Sequence, residues 1–255
     1  VQQAATDAGH SRPDVRIQTC DLTDPADIRW RSEIEEVGGT VHFAARDPYP
    51  EATWGEASAS LDMTVNTALA AAESQTCRRY VLATSNHVMG RYRTAGLGPG
   101  DLTAELDEGV GTVWDTGGET LDSTPYATAK FAGERVCRGI AGRDNATDYV
   151  CVRIGWCQPG ENRRETLSAA GTPTQERGTD EIDPDIEATD RWFKGMWLSN
   201  RDMVHLFERA LIAPSLSWLD RFVRVNGMSN NSGMVWSIDQ TRDLLGYEPQ
   251  DDVFG

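Results

Sequence analysis

A tyrosine and a lysine four residues apart, Tyr126 and Lys130, form the pair in this sequence with the clearest chemical potential. Residues at this spacing lie on one face of a helix, one turn from each other. A phenol is a poor base at neutral pH because its ordinary pKa is about 10, and a fixed ammonium nearby lowers that pKa. A tyrosine tuned in this way can accept the proton of an alcohol while hydride leaves the carbon. The pair therefore predicts alcohol oxidation.

The scarcity of lysine elsewhere in the chain strengthens this interpretation. A YxxxK spacing alone is a weak signal, because any helix can contain an exposed tyrosine and a solvated lysine. Of the 24 basic residues, however, only Lys130 and Lys194 are lysines. A lysine at the one place where this chemistry requires it is therefore informative.

The composition describes a rather polar protein with one substantial core. The chain has 255 residues, 39% of them hydrophobic, which suffices for one core or for one core with a small lobe. No apolar run approaches the roughly 18 residues of a membrane span, and no signal peptide is visible, although the chain does not begin with Met. Five cysteines without a CxxC pair disfavour a metal site or a disulfide framework. We therefore expect a cytoplasmic protein with no metal and no membrane partner.

The formal charge of −16, from 40 acidic and 24 basic residues, bears on partners and habitat. Strong negative charge opposes binding to nucleic acid and to anionic membranes. An acidic, lysine-poor surface is typical of proteins from salt-loving organisms, where high ionic strength screens the repulsion between like charges. The alternative is an ordinary acidic protein from a high-GC genome, in which arginine replaces lysine.

Strands and helices alternate along most of the chain, which indicates a parallel sheet with helical crossovers. The patterns predict strands at 15–20, 40–45, 79–84, 149–154 and 221–225. They predict one helix that begins at Asp24 and four more at 58–72, 126–140, 199–211 and 239–245. The last of these is expected to end at Gly246. Residues 94–125 and 161–190 show no clear period and are predicted to be long, acidic connections.

Short motifs at the ends of these strands resemble the extended short-chain dehydrogenase family, the NAD-dependent epimerase/dehydratase type. The motifs are Cys20-Asp21-Leu22-Thr23-Asp24, Val41-His42-Phe43-Ala44-Ala45, Ser85-Asn86-His87-Val88-Met89-Gly90, Tyr126-x-x-x-Lys130 and Val152-Arg153-Ile154-Gly155. Their order and spacing match the family over nearly the whole chain. Within it, the Ser-Asn-His, the string Met196–Asp202 and the ending Leu245–Asp251 look closest to uronate dehydrogenases and to NAD-dependent glucose-6-phosphate dehydrogenases of salt-loving archaea.

The resemblance implies an α/β fold: a Rossmann-like, doubly wound parallel sheet with a small C-terminal substrate lobe. Residues 1–155 would form the NAD-binding domain, and 156–255 would form mainly the lobe, with elements that return to the sheet. The family opens with a strand and a Gly-x-x-Gly-x-x-Gly turn, whose following helix binds the pyrophosphate. Gly96-x-Gly98-x-Gly100 is no substitute, because no strand precedes it. We therefore expect a chain that starts before the third strand of the family and lacks the first β-α-β unit.

The resemblance also implies roles for individual residues. Ser85 would hydrogen-bond the reacting hydroxyl, Tyr126 would be the base, and Lys130 would hold the nicotinamide ribose and tune Tyr126. The cofactor would contact Asp21, Leu22, Ala44, Ala45, Tyr126, Lys130 and Gly155. The substrate would contact Ser85, Asn86, His87, Trp156 and Arg191. NAD is the expected cofactor, and NADP stays open because the acidic residue that selects between them would lie in the missing part.

The function implied is oxidation of a sugar, uronate or sugar phosphate at C1 to a lactone. A nucleotide-sugar epimerase or dehydratase is the alternative within the enzyme class, although only about 125 residues follow Lys130. A non-catalytic remnant or a partner-binding module is the alternative from another class. By analogy with the family, a homodimer is expected.

Two departures from the close relatives concern the substrate. The relatives place an arginine, which meets the substrate's anion, where this chain has Trp192 beside Arg191. They also tend to have a small residue where this chain has Trp156.

Overall fold

The computed structural model describes residues 16–46, 52–115, 120–143, 146–167 and 184–255. Within these ranges a sheet of four parallel strands has the order β1-β2-β5-β6. The strands are β1 (Gly39–His42), β2 (Arg79–Ser85), β5 (Asp148–Ile154) and β6 (Phe222–Gly227). A separate antiparallel pair consists of β3 (Val113–Asp115) and β4 (Thr120–Asp122). Because Ser85 pairs with Ile154, the carboxyl ends of β2 and β5 are level with each other.

The helices of the described ranges begin and end at recognisable sequence signals. They are α1 (Ile28–Glu36), α2 (Trp54–Glu73), α3 (Thr124–Ala141), α4 (Pro184–Gly195), α5 (Asn200–Ile212) and α6 (Asp239–Leu245). A reciprocal capping box between Thr53 and Glu56 starts α2. Gly246, with a φ of 66°, ends α6 in the left-handed conformation that favours glycine. None of these helices is both long and apolar enough to cross a membrane.

The sheet is buried on both faces. Successive strand residues point to opposite sides, so that Tyr80, Leu82, Tyr149 and Cys151 pack against α1, α2 and α3. Their neighbours Val81, Ala83, Val150 and Val152 pack against α5 and the end of α6. A parallel sheet with helices on both faces is a doubly wound α/β fold, which confirms the predicted fold class.

The elements beyond Gly155 are shared between the sheet and a third apolar cluster. Strand β6 extends the sheet beside β5, and α5 packs on β1 and β2. The third cluster joins residues of α4 to the segment after β2 and to residues near Trp236, with members including Val88, Met89, Trp114, Trp192, Phe193, Met196 and Trp236. The division into domains at 155 stays a prediction.

Two predicted elements were wrong. Residues Arg16–Cys20 form no strand, because a strand needs a hydrogen-bonded neighbour and the described residues provide none beside this segment. The predicted loop at 161–190 contains the first half of α4, whose acidic residues hid the apolar face that carries Trp192 and Phe193. Residues 168–183 of that loop lie outside the described residues.

Candidate active site

The carboxyl ends of β2 and β5 form the floor of the candidate site. Ser85 ends β2, and its Oγ accepts a hydrogen bond from the backbone N of His87 at 3.1 Å. Asn86 follows and donates from Nδ2 to the carbonyl of Ile154, at the end of β5, at 3.0 Å. Open α/β sheets bind ligands at this edge of their strands.

Helix α3 brings the tyrosine and the lysine to Ser85. Ser85 lies close enough to Tyr126 for an interaction between the two side chains to influence the pKa of the phenol. Lys130 Nζ donates to the carbonyl of Ala83 at 2.9 Å and lies 5.8 Å from the centre of the Tyr126 ring. All three side chains are buried. The structure therefore brings together the three residues predicted to be catalytic.

Burial governs the protonation of this group. It raises the pKa of Tyr126, and the hydrogen bond from Ser85 only partly opposes the rise. Burial also lowers the pKa of Lys130 to about 8. The pKa of Tyr126 is thus raised rather than lowered, because burial removes hydration from the phenolate.

His87 is held in a neutral state on the wall of the site. Its Nδ1 lies 2.8 Å from Thr112 Oγ1 and 2.9 Å from Ser123 Oγ, and burial lowers its pKa to about 3. Gly90 permits this arrangement, since a Cβ there would lie 2.0 Å from Thr112 Oγ1. Thr112 and Ser123 had no sequence signal, because each reaches His87 from a different part of the connection before α3.

Aromatic rings surround His87. The ring of Tyr126 meets it edge-on at 6.0 Å between centroids, Trp114 stacks at 6.0 Å, and Phe193 of α4 lies at 6.3 Å. Trp156 contacts the far side of Phe193, with centroids 5.9 Å apart. We call Trp114, Phe193 and Trp156 the aromatic wall.

The backbone after β5 is joined directly to the end of α4. Trp156 donates from its backbone N to the carbonyl of Met196 at 2.8 Å, and Leu198 donates to the carbonyl of Trp156 at 3.0 Å. A Cβ at Gly155 would lie 2.0 Å from the Met196 carbonyl oxygen, so only glycine allows this approach. Gly155 and Trp156, both predicted at the site, therefore fix α4 and its Phe193 relative to the sheet.

A buried ion pair lies behind the site. Arg153 of β5 is fully buried and donates from Nε and a terminal nitrogen to the carboxylate of Glu134, at 3.0 and 2.8 Å. Thr84, next to Ser85, donates to the same carboxylate at 2.9 Å. Because Glu134 is one helical turn beyond Lys130, this pair fixes α3 to both strands.

Four residues predicted to contact the cofactor, Asp21 and Leu22 at the adenine and Ala44 and Ala45 along its length, lie apart from this group. Asp21 Oδ1 accepts hydrogen bonds from Thr23 at 2.9 and 2.7 Å, which lower the pKa of Asp21. The Leu22 carbonyl accepts from Asn66 at 2.9 Å. Ala44 and Ala45 follow the end of β1 and are half-buried. None of the four contacts Ser85 or Tyr126 among the described residues.

Lys130, at the nicotinamide end of the predicted cofactor site, suits binding of a ribose. An ammonium has three N–H donors, and Lys130 Nζ has a single acceptor, the Ala83 carbonyl, in the described part of the chain. Its remaining donors suit ribose hydroxyls. The described residues thus fit the nicotinamide end of a dinucleotide.

Arg191 is the predicted substrate residue that the structure does not bring to the site. It is exposed and lines a separate cavity of about 260 Å³ together with Arg93, Trp192, Met234 and Trp236. Phe193, which sequence reasoning missed, takes the place beside His87 instead.

Two buried histidines make stability depend on pH. Besides His87, His42 is buried within 3.3 Å of Thr64 Oγ1, and burial and the charge of Lys130 lower its pKa to about 4. Between pH 4 and about 6.5 the unfolded chain therefore binds more protons than the folded one. We expect the free energy of unfolding to decrease as the pH is lowered through this window, by up to about 1.4 kcal/mol per pH unit for each histidine. Urea unfolding at several pH values measures the slope.

The His42→Gln/His87→Gln double variant provides the control for this expectation. It should lose much of the slope between pH 4 and 6.5, because glutamine does not titrate. An unchanged slope in the double variant would assign the acid sensitivity to carboxylates instead.

The sheet and the site define an α/β protein of the dinucleotide-binding class, and the comparison with known proteins agrees. The family model described as the NAD dependent epimerase/dehydratase family matches residues 2–157. The chain belongs to this family, which confirms the resemblance seen in the motifs and the prediction of an NAD-dependent enzyme.

Individual relatives place the chain near sugar dehydrogenases. It is 29% identical over 238 residues to the NAD-dependent glucose-6-phosphate dehydrogenase of Haloferax volcanii, covering 92% of this chain and 76% of the relative. It is 27% identical over 212 residues to L-arabinose 1-dehydrogenase (NAD(P)(+)) of the same organism, covering 83% and 73%. The structure of glucuronic acid dehydrogenase from Chromohalobacter salexigens superposes with a TM-score of 0.65 at 22% identity, covering 96% of this chain and 72% of that one. At that identity the superposition supports the fold.

Proposed function

We propose that the protein is an NAD-dependent sugar dehydrogenase that oxidises the C1 hydroxyl of a sugar to a lactone. The observation that carries the proposal is the position of Ser85 beside Tyr126, together with Lys130 Nζ 5.8 Å from the centre of the phenol ring. The sugar dehydrogenases among its relatives support the same chemistry.

Each residue of the group has a part in the proposed reaction. Ser85 orients the C1 hydroxyl, and Tyr126 accepts its proton. Lys130 would hold the ribose of the cofactor, and its charge would favour the phenolate. NAD, when bound, would supply the hydride acceptor.

A buried acceptor beside these residues supports a polyhydroxylated substrate. Asn86 Oδ1 is buried and has no donor among the described residues, while its Nδ2 is held by Ile154. A buried acceptor without a partner costs about 1–3 kcal/mol. A sugar hydroxyl would satisfy it, so we assign Asn86 to substrate binding, with His87 as its neutral neighbour.

The proposal also concerns the salt environment, the location and the oligomeric state of the protein. The net charge of −16 and the origin of two relatives in Haloferax volcanii support a protein adapted to high salt. A cytoplasmic location and a homodimer are part of the same proposal.

Sugars deuterated at C1 test the reaction. The purified protein with NAD should form NADH, transfer deuterium from C1 to the nicotinamide, and release a lactone or the acid from its hydrolysis. Conversion of a nucleotide-sugar without net formation of NADH would favour an epimerase instead.

A further inference from the structure

The polar side chains around Tyr126 offer little positive charge to a substrate. Ser85 and Asn86 are neutral, and burial keeps the imidazole of His87 uncharged near neutral pH. Lys130 is the cation of this group, and its Nζ is bound to the Ala83 carbonyl on the side of the sheet. The site therefore offers hydrogen bonds rather than a counter-ion.

A buried apolar cluster packs against His87. Trp114 and Phe193 of the aromatic wall are 1% and 2% exposed and lie 5.1 Å apart between ring centroids. Trp156 contacts Phe193 in turn. A carboxylate or phosphate brought next to this cluster would lose hydration without compensation.

The basic residues of α4 are directed elsewhere. Ala188, Arg191, Trp192 and Gly195 follow helical spacing and line the 260 Å³ cavity, so they occupy one face of the helix. Phe193 contacts His87 from another face. Lys194 forms an ion pair with Asp190 at 2.6 Å. Arg93, across the cavity, donates to Thr189 Oγ1 at 2.7 Å.

From this arrangement we infer that the substrate is a neutral aldose rather than a uronate or a sugar phosphate. The inference rests on the proposed function and specifies its substrate class. The hydroxyls of a neutral sugar pair with Ser85 and Asn86. An added anionic group has no cation to meet in this part of the described structure.

Matched pairs of sugars test the inference, with initial rates measured for glucose against glucose 6-phosphate and for galactose against galacturonate. We expect kcat/KM to be about 10²-fold higher for the neutral member of each pair, the usual cost of burying an unpaired charged group. A higher value for either anionic member would overturn the inference and leave the dehydrogenase function standing. If the protein oxidises neither member of any pair, the proposed function fails, and the inference falls with it.

High salt and an Arg191 variant separate the selectivity of the site itself from effects of the net charge and of Arg191. The preference should persist in several molar KCl, where the Debye length is under about 3 Å; a preference that disappears there reflects only the net charge and overturns the inference. Arg191→Gln tests the role that resemblance gave to Arg191. We expect the ratio of kcat/KM between neutral and anionic members to stay the same in this variant, and a selective loss on the anionic member would contradict us.

Discussion

Replacing Tyr126 by phenylalanine should lower kcat for sugar oxidation by about 10²–10⁴-fold, the usual contribution of general acid–base catalysis. The substitution removes the hydroxyl that faces Ser85 and keeps the ring that meets His87 edge-on. Packing should therefore survive, and the affinity for NAD should change little. Steady-state kinetics and calorimetric titration with NAD measure the two effects separately.

Tyr92→Phe provides a matched control for this variant. The Tyr92 hydroxyl donates to the Asp107 carbonyl at 2.9 Å, away from Ser85 and Lys130, so the same atom is removed outside the reacting group. Its kcat should stay within about twofold of the parent. Near-normal turnover in Tyr126→Phe would remove the tyrosine from the mechanism.

The second large effect concerns stability: Glu134→Ala should lower the free energy of unfolding by about 3–5 kcal/mol. The change removes both charge-assisted hydrogen bonds of Arg153, at 3.0 and 2.8 Å, and leaves its guanidinium buried. A contact with Glu108 at 3.5 Å is a weak replacement. Urea unfolding, with its midpoint and slope, measures the loss.

Glu33→Ala is the control for the buried ion pair. Glu33 also lies in a helix and is paired with an arginine, Arg16, at 2.8 Å, but the two side chains are 40% and 74% exposed. Solvent screens such a pair, so its loss should cost no more than about 1 kcal/mol. Equal effects of the two substitutions would show that burial adds nothing to the Arg153–Glu134 pair.

Sequence patterns predicted the fold wherever a local signal determines an element. Helix α3 was predicted at 126–140 and spans Thr124–Ala141, because Pro125 near its start and a continuous helical period define it. The segment 15–20 has the alternation of a strand, but its described residues 16–20 form none, since pairing depends on a neighbour distant in sequence. Helix α4 was missed because its polar residues outweigh the few apolar side chains that anchor it.

The site residues also divide into those that a local pattern predicts and those that depend on tertiary packing. Ser85, Tyr126 and Lys130 were predictable because a strand end and one helical face place them. Thr112, Trp114 and Phe193 were not, because their approach to His87 depends on the close contact at Gly90 and on the packing of α4. The direction of the pKa of Tyr126 was also hidden, since burial cannot be read from spacing.

The junction between Trp156 and Met196 has a consequence for how the substrate range of such a protein can change in evolution. The junction fixes the last turn of α4, and each residue of a helix turns it by about 100°. Insertion or deletion of one residue between Phe193 and Met196 would rotate the preceding turns as a block and bring a different side chain to His87. A single-codon length change could therefore exchange the aromatic neighbour of His87 for a basic one, without any substitution in the reacting group.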